Sequence, residues 1–173
     1  TSNPHTTSSL THRGNQSNCH VLFNTFDDCA SGIQMPNASN DPVIMYNAFP
    51  ATPTYRQLYM TDGSSSDGTL NFNYYRGTSR ISWGSSTIQT LSAFQADTAH
   101  EDDGISNSDP LFTNSAAANY LPTASSALLD AGTTTPAAFS TYSTRYGIDI
   151  SVDFLGNPRP DNTSYDMGAY ERQ

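Results

Sequence analysis

The sequence predicts an all-β fold: a parallel β-solenoid of about three or more coils, with one short helix and a C-terminal capping segment. A six-residue pattern predicts it first: aliphatic, any, aromatic, Asn, any, aromatic. It reads Val21-Leu22-Phe23-Asn24-Thr25-Phe26, then Ile44-Met45-Tyr46-Asn47-Ala48-Phe49, then Leu70-Asn71-Phe72-Asn73-Tyr74-Tyr75. The Asn residues lie 23 and then 26 positions apart, a period expected of stacked repeats. A second alternating stretch follows each copy, at Gly32-Ile33-Gln34-Met35, Gln57-Leu58-Tyr59-Met60 and Arg80-Ile81-Ser82-Trp83. If Ile33, Leu58 and Ile81 stack, then Met35, Met60 and Trp83 stack as well, and Gln34, Tyr59 and Ser82 share the opposite face. The fixed Asn is the third observation, because identical Asn side chains can bond to one another in a ladder and tolerate left-handed corners.

Taken in order, residues 1–17 are polar, with Ser9-Leu10-Thr11-His12 as the strand hint, and read as a lead-in or partial coil. Residues 18–85 hold the repeat coils. Pro, Gly, Asn and Ser crowd the connections at 36–42, 50–55 and 62–68, as turns require. Residues 86–104 read as a short helix and an acidic loop. Ile88, Leu91 and Phe94 share a helical face, and Ser85, Ser86 or Thr87 can cap its start. The tail from Asp97 to Asp103 is acidic but lacks the EF-hand spacing, so a solvated loop is expected and calcium stays open without support. A Thr-rich linker is expected near 133–135. Residues 105–173 form the expected cap.

Length and composition bound the function. A chain of 173 residues reads as one domain with a core. Hydrophobic residues make up 35% and no run is long enough to span a bilayer. The chain begins at Thr1 without Met, which reads as upstream sequence removed or omitted. Net charge is −9, and all seven basic residues are Arg. That balance argues against nucleic acid and against anionic membrane as partners. Cys19 and Cys29 are read either as a disulfide or as two buried thiols, and neither they nor His5, His12, His20 and His100 show zinc-ligand spacing.

The tail carries five further blocks: Asp109-Pro110-Leu111-Phe112, Tyr120-Leu121-Pro122, Ser126 to Gly132, Asp153 to Arg159, and Asp166 to Glu171. In this order they resemble the C-terminal segment of secreted bacterial proteins with a right-handed parallel β-helix, the pectate-lyase-like superfamily. Ala127 departs from that pattern, where Pro is usual. The resemblance implies a secreted, extracellular or cell-surface protein that binds or cleaves polysaccharide, although fold does not establish function.

Candidate residues follow. Arg56 and Arg80 precede the second stretch in successive repeats and lie near Tyr55 and Tyr59, so these four form the expected carbohydrate-binding patch. Inverting hydrolysis needs two spaced carboxyl groups. Asp27-Asp28-Cys29 is similar to a polygalacturonase motif, but the accompanying Gly-His-Gly and Arg-Ile-Lys are absent, which leaves Asp27 and Asp28 as unsupported catalytic candidates. His12 and His20 are possible bases with nothing to orient them. Arg159 is expected to pair with Asp130, Asp153 or Asp166 and hold the tail. Asn15, Asn37 and Asn162 match the N-glycosylation pattern. No cofactor is expected. The leading expectation is a module that binds extracellular polysaccharide or supports its processing in a larger protein. The alternative is a surface or filament subunit that stacks head to tail on a neighbour.

Overall fold

The structure is a computed structural model describing residues 10–11, 16–17, 19–35, 39–51, 55–60, 68–84, 87–107, 109–132, 138–161 and 164–173. His5, His12, the linker at 133–135, Ser85 and Ser86, and Asn15, Asn37 and Asn162 lie outside the described residues.

Among the described residues, fourteen short strands occur in chain order: β1 (Leu10–Thr11), β2 (Gln16–Ser17), β3 (His20–Leu22), β4 (Ile33–Met35), β5 (Ser39–Asn40), β6 (Val43–Met45) and β7 (Ala48–Phe49), then β8 (Leu58–Met60), β9 (Thr69–Asn71), β10 (Tyr74–Arg76), β11 (Ile81–Ser82), β12 (Ile105–Asn107), β13 (Phe112–Asn114) and β14 (Asn119–Pro122). Helices α1 (Leu91–Asp97) and α2 (Ala138–Tyr146) complete the set. The repeat strands pair parallel and in the expected register: Val21 faces Ile44 and Ile44 faces Leu70 in β3-β6-β9. Ile33, Leu58 and Ile81 align in β1-β4-β8-β11, with Met35 opposite Met60 and Tyr59 between Gln34 and Ser82. A third parallel sheet runs β7-β10-β12.

The predicted right-handed parallel β-helix is nevertheless corrected. The sheets are separate, mostly of two or three strands, and none closes or curls into a solenoid; the molecule is a small sheet-rich domain with two helices. The backbone supplies a reason. Phe23, Tyr46 and Phe72 adopt φ of 54°, 59° and 55°, so each strand breaks off at a left-handed residue before the next begins. Sheet growth also stops at antiparallel pairs: β13 with β14, and the bridge between Ile81 and Gln89.

Left-handed backbone was expected at the Asn; the structure puts it on the aromatic before it. A bulky residue there is strained by roughly 1–3 kcal/mol. Two contacts offset that cost. Each following Asn bonds back to the carbonyl two residues earlier, Asn24 Nδ2 to Leu22 O, Asn47 Nδ2 to Met45 O and Asn73 Nδ2 to Asn71 O. Each aromatic ring is also buried, in a stack whose centroids lie 4.8 Å (Phe23 to Tyr46) and 5.2 Å (Tyr46 to Phe72) apart. The motif therefore feeds two cores. The aliphatic residue and the second aromatic (Phe26, Phe49, Tyr75) fill or pack against one; Phe23, Tyr46 and Phe72 enter the other.

The tail builds that second core. Leu128, Tyr165 and Met167 pack on the aromatic stack of all three repeats, so the segment lies along their flank rather than over one end. Gly132 sits flat on Tyr46, where a Cβ would fall 2.1 Å from the ring. Asp153 accepts from the backbone amides of Leu155, Asn157 and Glu171, and Asp166 from those of Asp130 and Arg172. Arg159 is buried over the Phe23 ring at 4.3 Å. It donates to Gly168 O and lies 3.8 Å from Glu171, which takes the place expected of Asp130, Asp153 or Asp166.

The helices differ from expectation as well. Leu91 and Phe94 enter the first core as predicted, but α1 starts later, capped by Thr90, and Ile88 lies exposed before it. Helix α2 was not foreseen. Its signals were Phe139, Tyr142 and Tyr146 at helical spacing and Gly147, whose φ of 65° and bond to Ser143 O end the helix.

Replacing the buried Asn47 by Ala strands Asn24 N and the carbonyls Asn47 served. Asn47→Ala is expected to destabilise by about 2–4 kcal/mol, against about 1 kcal/mol or less for the exposed Asn24→Ala. Gly132→Ala is expected to cost about 1–3 kcal/mol through the clash with Tyr46. Urea midpoints of the three variants measure these differences.

Candidate functional site

The four carbohydrate candidates do come together. Strand β8 points Leu58 and Met60 into the core and leaves Tyr59 on the opposite face. The Arg56 guanidinium lies 4.3 Å over the Tyr59 ring. Tyr55 is 64% exposed beside them. Its amide donates to Ala30 O, and Gly32 N donates to Arg56 O, so both residues stand on fixed backbone. Arg80 does not join the surface as a ligand group. Its Nε donates to Tyr55 O, and its backbone amide donates to Gln57 Oε1, so it positions Tyr55 from behind.

Ser31, Gln34, Tyr55, Arg56 and Tyr59 line a shallow groove of about 290 Å³. Its chemistry is that of a binding face: one open ring, one ring under a guanidinium, an amide and a hydroxyl. Among the described residues, no carboxylate or imidazole lines it.

Asp27 and Asp28 diverge. Asp27 is half-buried, accepts from the Tyr120 hydroxyl at 2.9 Å, and lines a cleft of about 210 Å³ with Arg76 and Asp109. Asp28 is exposed at φ 51° and is not among the residues lining that cleft. Adjacency in sequence thus does not produce a facing pair. Burial and then Asp27 push the Tyr120 hydroxyl up to about 12. The His20 ring lies tilted against Tyr142 with centroids 5.7 Å apart, and burial lowers its pKa, with Arg145 acting in the same direction. Cys19 and Cys29 are half-buried thiols not joined by a disulfide; Cys29 Sγ donates to Asp27 O.

The acidic loop hides the residue that sequence reasoning missed. Glu101 is fully buried, not solvated. Its Oε1 accepts from Asn73 Nδ2 and from the Tyr75 hydroxyl, each at 2.6 Å, and its Oε2 accepts from Asn73 N at 3.2 Å. It takes the next place after Asn24, Asn47 and Asn73, and its separation of 28 from Asn73 was the available signal. Desolvation pushes its pKa up to about 7 against the opposing bonds from Tyr75 and Asn73, with Asp103 adding to the rise. Glu171, buried beside Asp166, is also pushed up to about 7, first by desolvation and then by Asp166.

Among the described residues, no group of three His, Cys, Asp or Glu could hold a metal ion, and no helix is long and apolar enough to cross a membrane. Comparisons with family models, curated proteins and solved structures return no match for this chain, so none identifies the pectate-lyase-like superfamily that its tail resembles.

Glu101 and Glu171 hold a proton more tightly folded than unfolded, so the folded chain binds more protons between about pH 4.5 and 7. Their contribution is fully present below pH 4.5 and is lost as pH rises through 7. Urea midpoints across pH 4 to 8 should fall over that window, and Glu101→Gln should remove its share of the slope.

Proposed function

We propose that the chain is a binding module for extended extracellular polysaccharide, with an acidic sugar as the preferred ligand at Tyr55, Arg56 and Tyr59. One observation carries this reading: Arg56 lies over Tyr59 beside the exposed Tyr55, in a groove that also offers the Gln34 amide and the Ser31 hydroxyl. An open tyrosine ring stacks on the apolar face of a pyranose. A guanidinium forks two bonds to a carboxylate, and its planar geometry makes uronic acids a better match than neutral sugars. The lining favours retention over turnover, which fits a module that holds substrate for a larger carbohydrate-active protein. Binding through Arg56 also offsets the repulsion that a chain of net charge −9 exerts on an acidic polymer.

The alternative, head-to-tail stacking, has less support. Continuing the Asn ladder into a neighbour requires outward donors beyond Glu101, and Glu101 is fully buried with both carboxyl oxygens accepting from Asn73 or Tyr75.

Calorimetric titration with oligouronates and neutral glucans tests the proposal. Oligouronates should bind and neutral glucans should bind more weakly, with affinity falling as salt rises. Tyr55→Ala and Arg56→Ala should each cost about tenfold, roughly 1.4 kcal/mol. Arg80→Ala should cost less, because it acts through the Tyr55 backbone. No oligouronate binding at millimolar concentration, or full binding by Arg56→Ala, would sink the proposal.

A further inference from the structure

The exposed side of β3 lies along an apolar groove. Among the described residues, strand β3 is bonded to β6 alone. Val43 N donates to Cys19 O and Phe23 N to Met45 O. In a parallel ladder this turns the backbone groups of residues 19, 21 and 23 toward β6 and those of His20 and Leu22 away from it. The two outward carbonyls are engaged, Leu22 O by Asn24 Nδ2 at 2.8 Å and His20 O by the Tyr142 hydroxyl at 3.5 Å. The two outward amides have no acceptor among the described residues.

The ladder of side chains has the same one-sidedness. Asn24 N and Nδ2 donate to Asn47 Oδ1, and Asn47 N and Nδ2 donate to Asn73 Oδ1. Asn73 donates in turn to Glu101. Every bond points one way along the row. Asn47 Oδ1 and Asn73 Oδ1 are each met by a preceding Asn, whereas Asn24 is exposed and its Oδ1 meets no donor among the described residues.

A groove of about 540 Å³ runs along this edge, with β3 as one wall and the chain from Asp149 to Phe154 as the other. Nine large apolar side chains are exposed among the described residues, and six of them lie on this groove or within 146–155: Leu10, Tyr146, Ile148, Val152, Phe154 and Leu155. Phe154 is 75% exposed. Apolar exposure gathered in one place beside open backbone donors marks an interaction site, where scattered apolar residues would not.

We propose that this edge binds an extended polypeptide segment of a partner as an added parallel strand, and that the segment bears an Asn after an aromatic residue, in the order of the chain's own repeats. Its carbonyls accept from His20 and Leu22 N–H, its Asn donates to Asn24 Oδ1, and its apolar side chains pack under Val152 and Phe154. Strand addition supplies affinity through the main chain and specificity through alternate side chains. A second copy of this chain does not satisfy the site. Its Asn24 donors are already spent on Asn47 and Leu22 O, its Asn47 and Asn73 are buried, and its row ends in Glu101. Asp149 stands at the groove as an exposed carboxylate, which disfavours an acidic segment. The site is separate from the Tyr55 groove, and the proposal stands independently of glycan binding.

Fluorescence anisotropy with the whole chain and a labelled nonapeptide of sequence 42–50 tests the proposal, since that peptide carries the motif around Asn47. Saturable binding is expected. The same peptide with Asn47→Asp, which loses the donating amide, should bind about tenfold more weakly. In the protein, Leu22→Pro removes an outward amide, as edge strands tolerate, together with a side chain packed on the second core, and should abolish binding. If Leu22→Pro melts early, Phe154→Ser should weaken binding by about tenfold in a folded chain. The proposal is overturned by no binding of the first peptide, by equal binding of the two peptides, or by a dimer in light scattering that excess peptide leaves intact.

Discussion

The rest of the structure depends on a row of hydrogen bonds that runs in one direction. A carboxamide both donates and accepts, so a stacked Asn can pass the row on; the buried Glu101 carboxyl accepts from Asn73 on both oxygens and ends it. The same Asn side chains bond back to the carbonyl two residues earlier and hold the backbone where Phe23, Tyr46 and Phe72 turn left-handed. That turn throws one aromatic outward and leaves the next inward. Two hydrophobic cores are thereby tied to one polar spine, and the spine is buried where its bonds are strongest.

The direction of the spine makes the two sides of the repeats inequivalent. On one side, α1, the antiparallel bridge at Ile81 and the Glu101 carboxylate close the backbone and the side-chain row together. On the other, β3 has outward amides that meet no acceptor among the described residues, beside an apolar wall. Unpaired strand edges recruit further strands unless they are blocked, so the open side is where another chain has something to gain. The Tyr55 face lies on neither side. It stands on β8, in the middle of its sheet, where neighbours on both sides fix the backbone and the side chains alone meet solvent.

Acidic residues divide by task. The excess negative charge suggested solvated loops, yet Glu101, Glu171, Asp153 and Asp166 are buried. All four accept from backbone amides where irregular chain has no ladder to serve it. Burial works against the ionisation of Asp153, but its bonds from Glu171, Asn157 and Leu155 outweigh it and hold that carboxyl below its ordinary range. Arg159 neutralises this corner from the face of Phe23. In a tail rich in turns, carboxylates replace the missing strand partners.

The amino-acid sequence by itself determined the period, the parallel register and the faces of the strands, because alternation and the fixed Asn are local patterns that each repeat states anew. Val21 over Ile44, Leu58 between Ile33 and Ile81, and Tyr59 outside them were all legible there. Only the tertiary structure decided how far those ladders extend. Separate sheets in place of a solenoid follow from left-handed aromatics, whose strain is tolerable only once the distant tail buries their rings. The same dependence on distant partners concealed Glu101, which is acidic in sequence and buried in space because Asn73 and Tyr75 donate to it. It also separated Arg80 from the face it was assigned to, since the carbonyl it serves belongs to the preceding repeat.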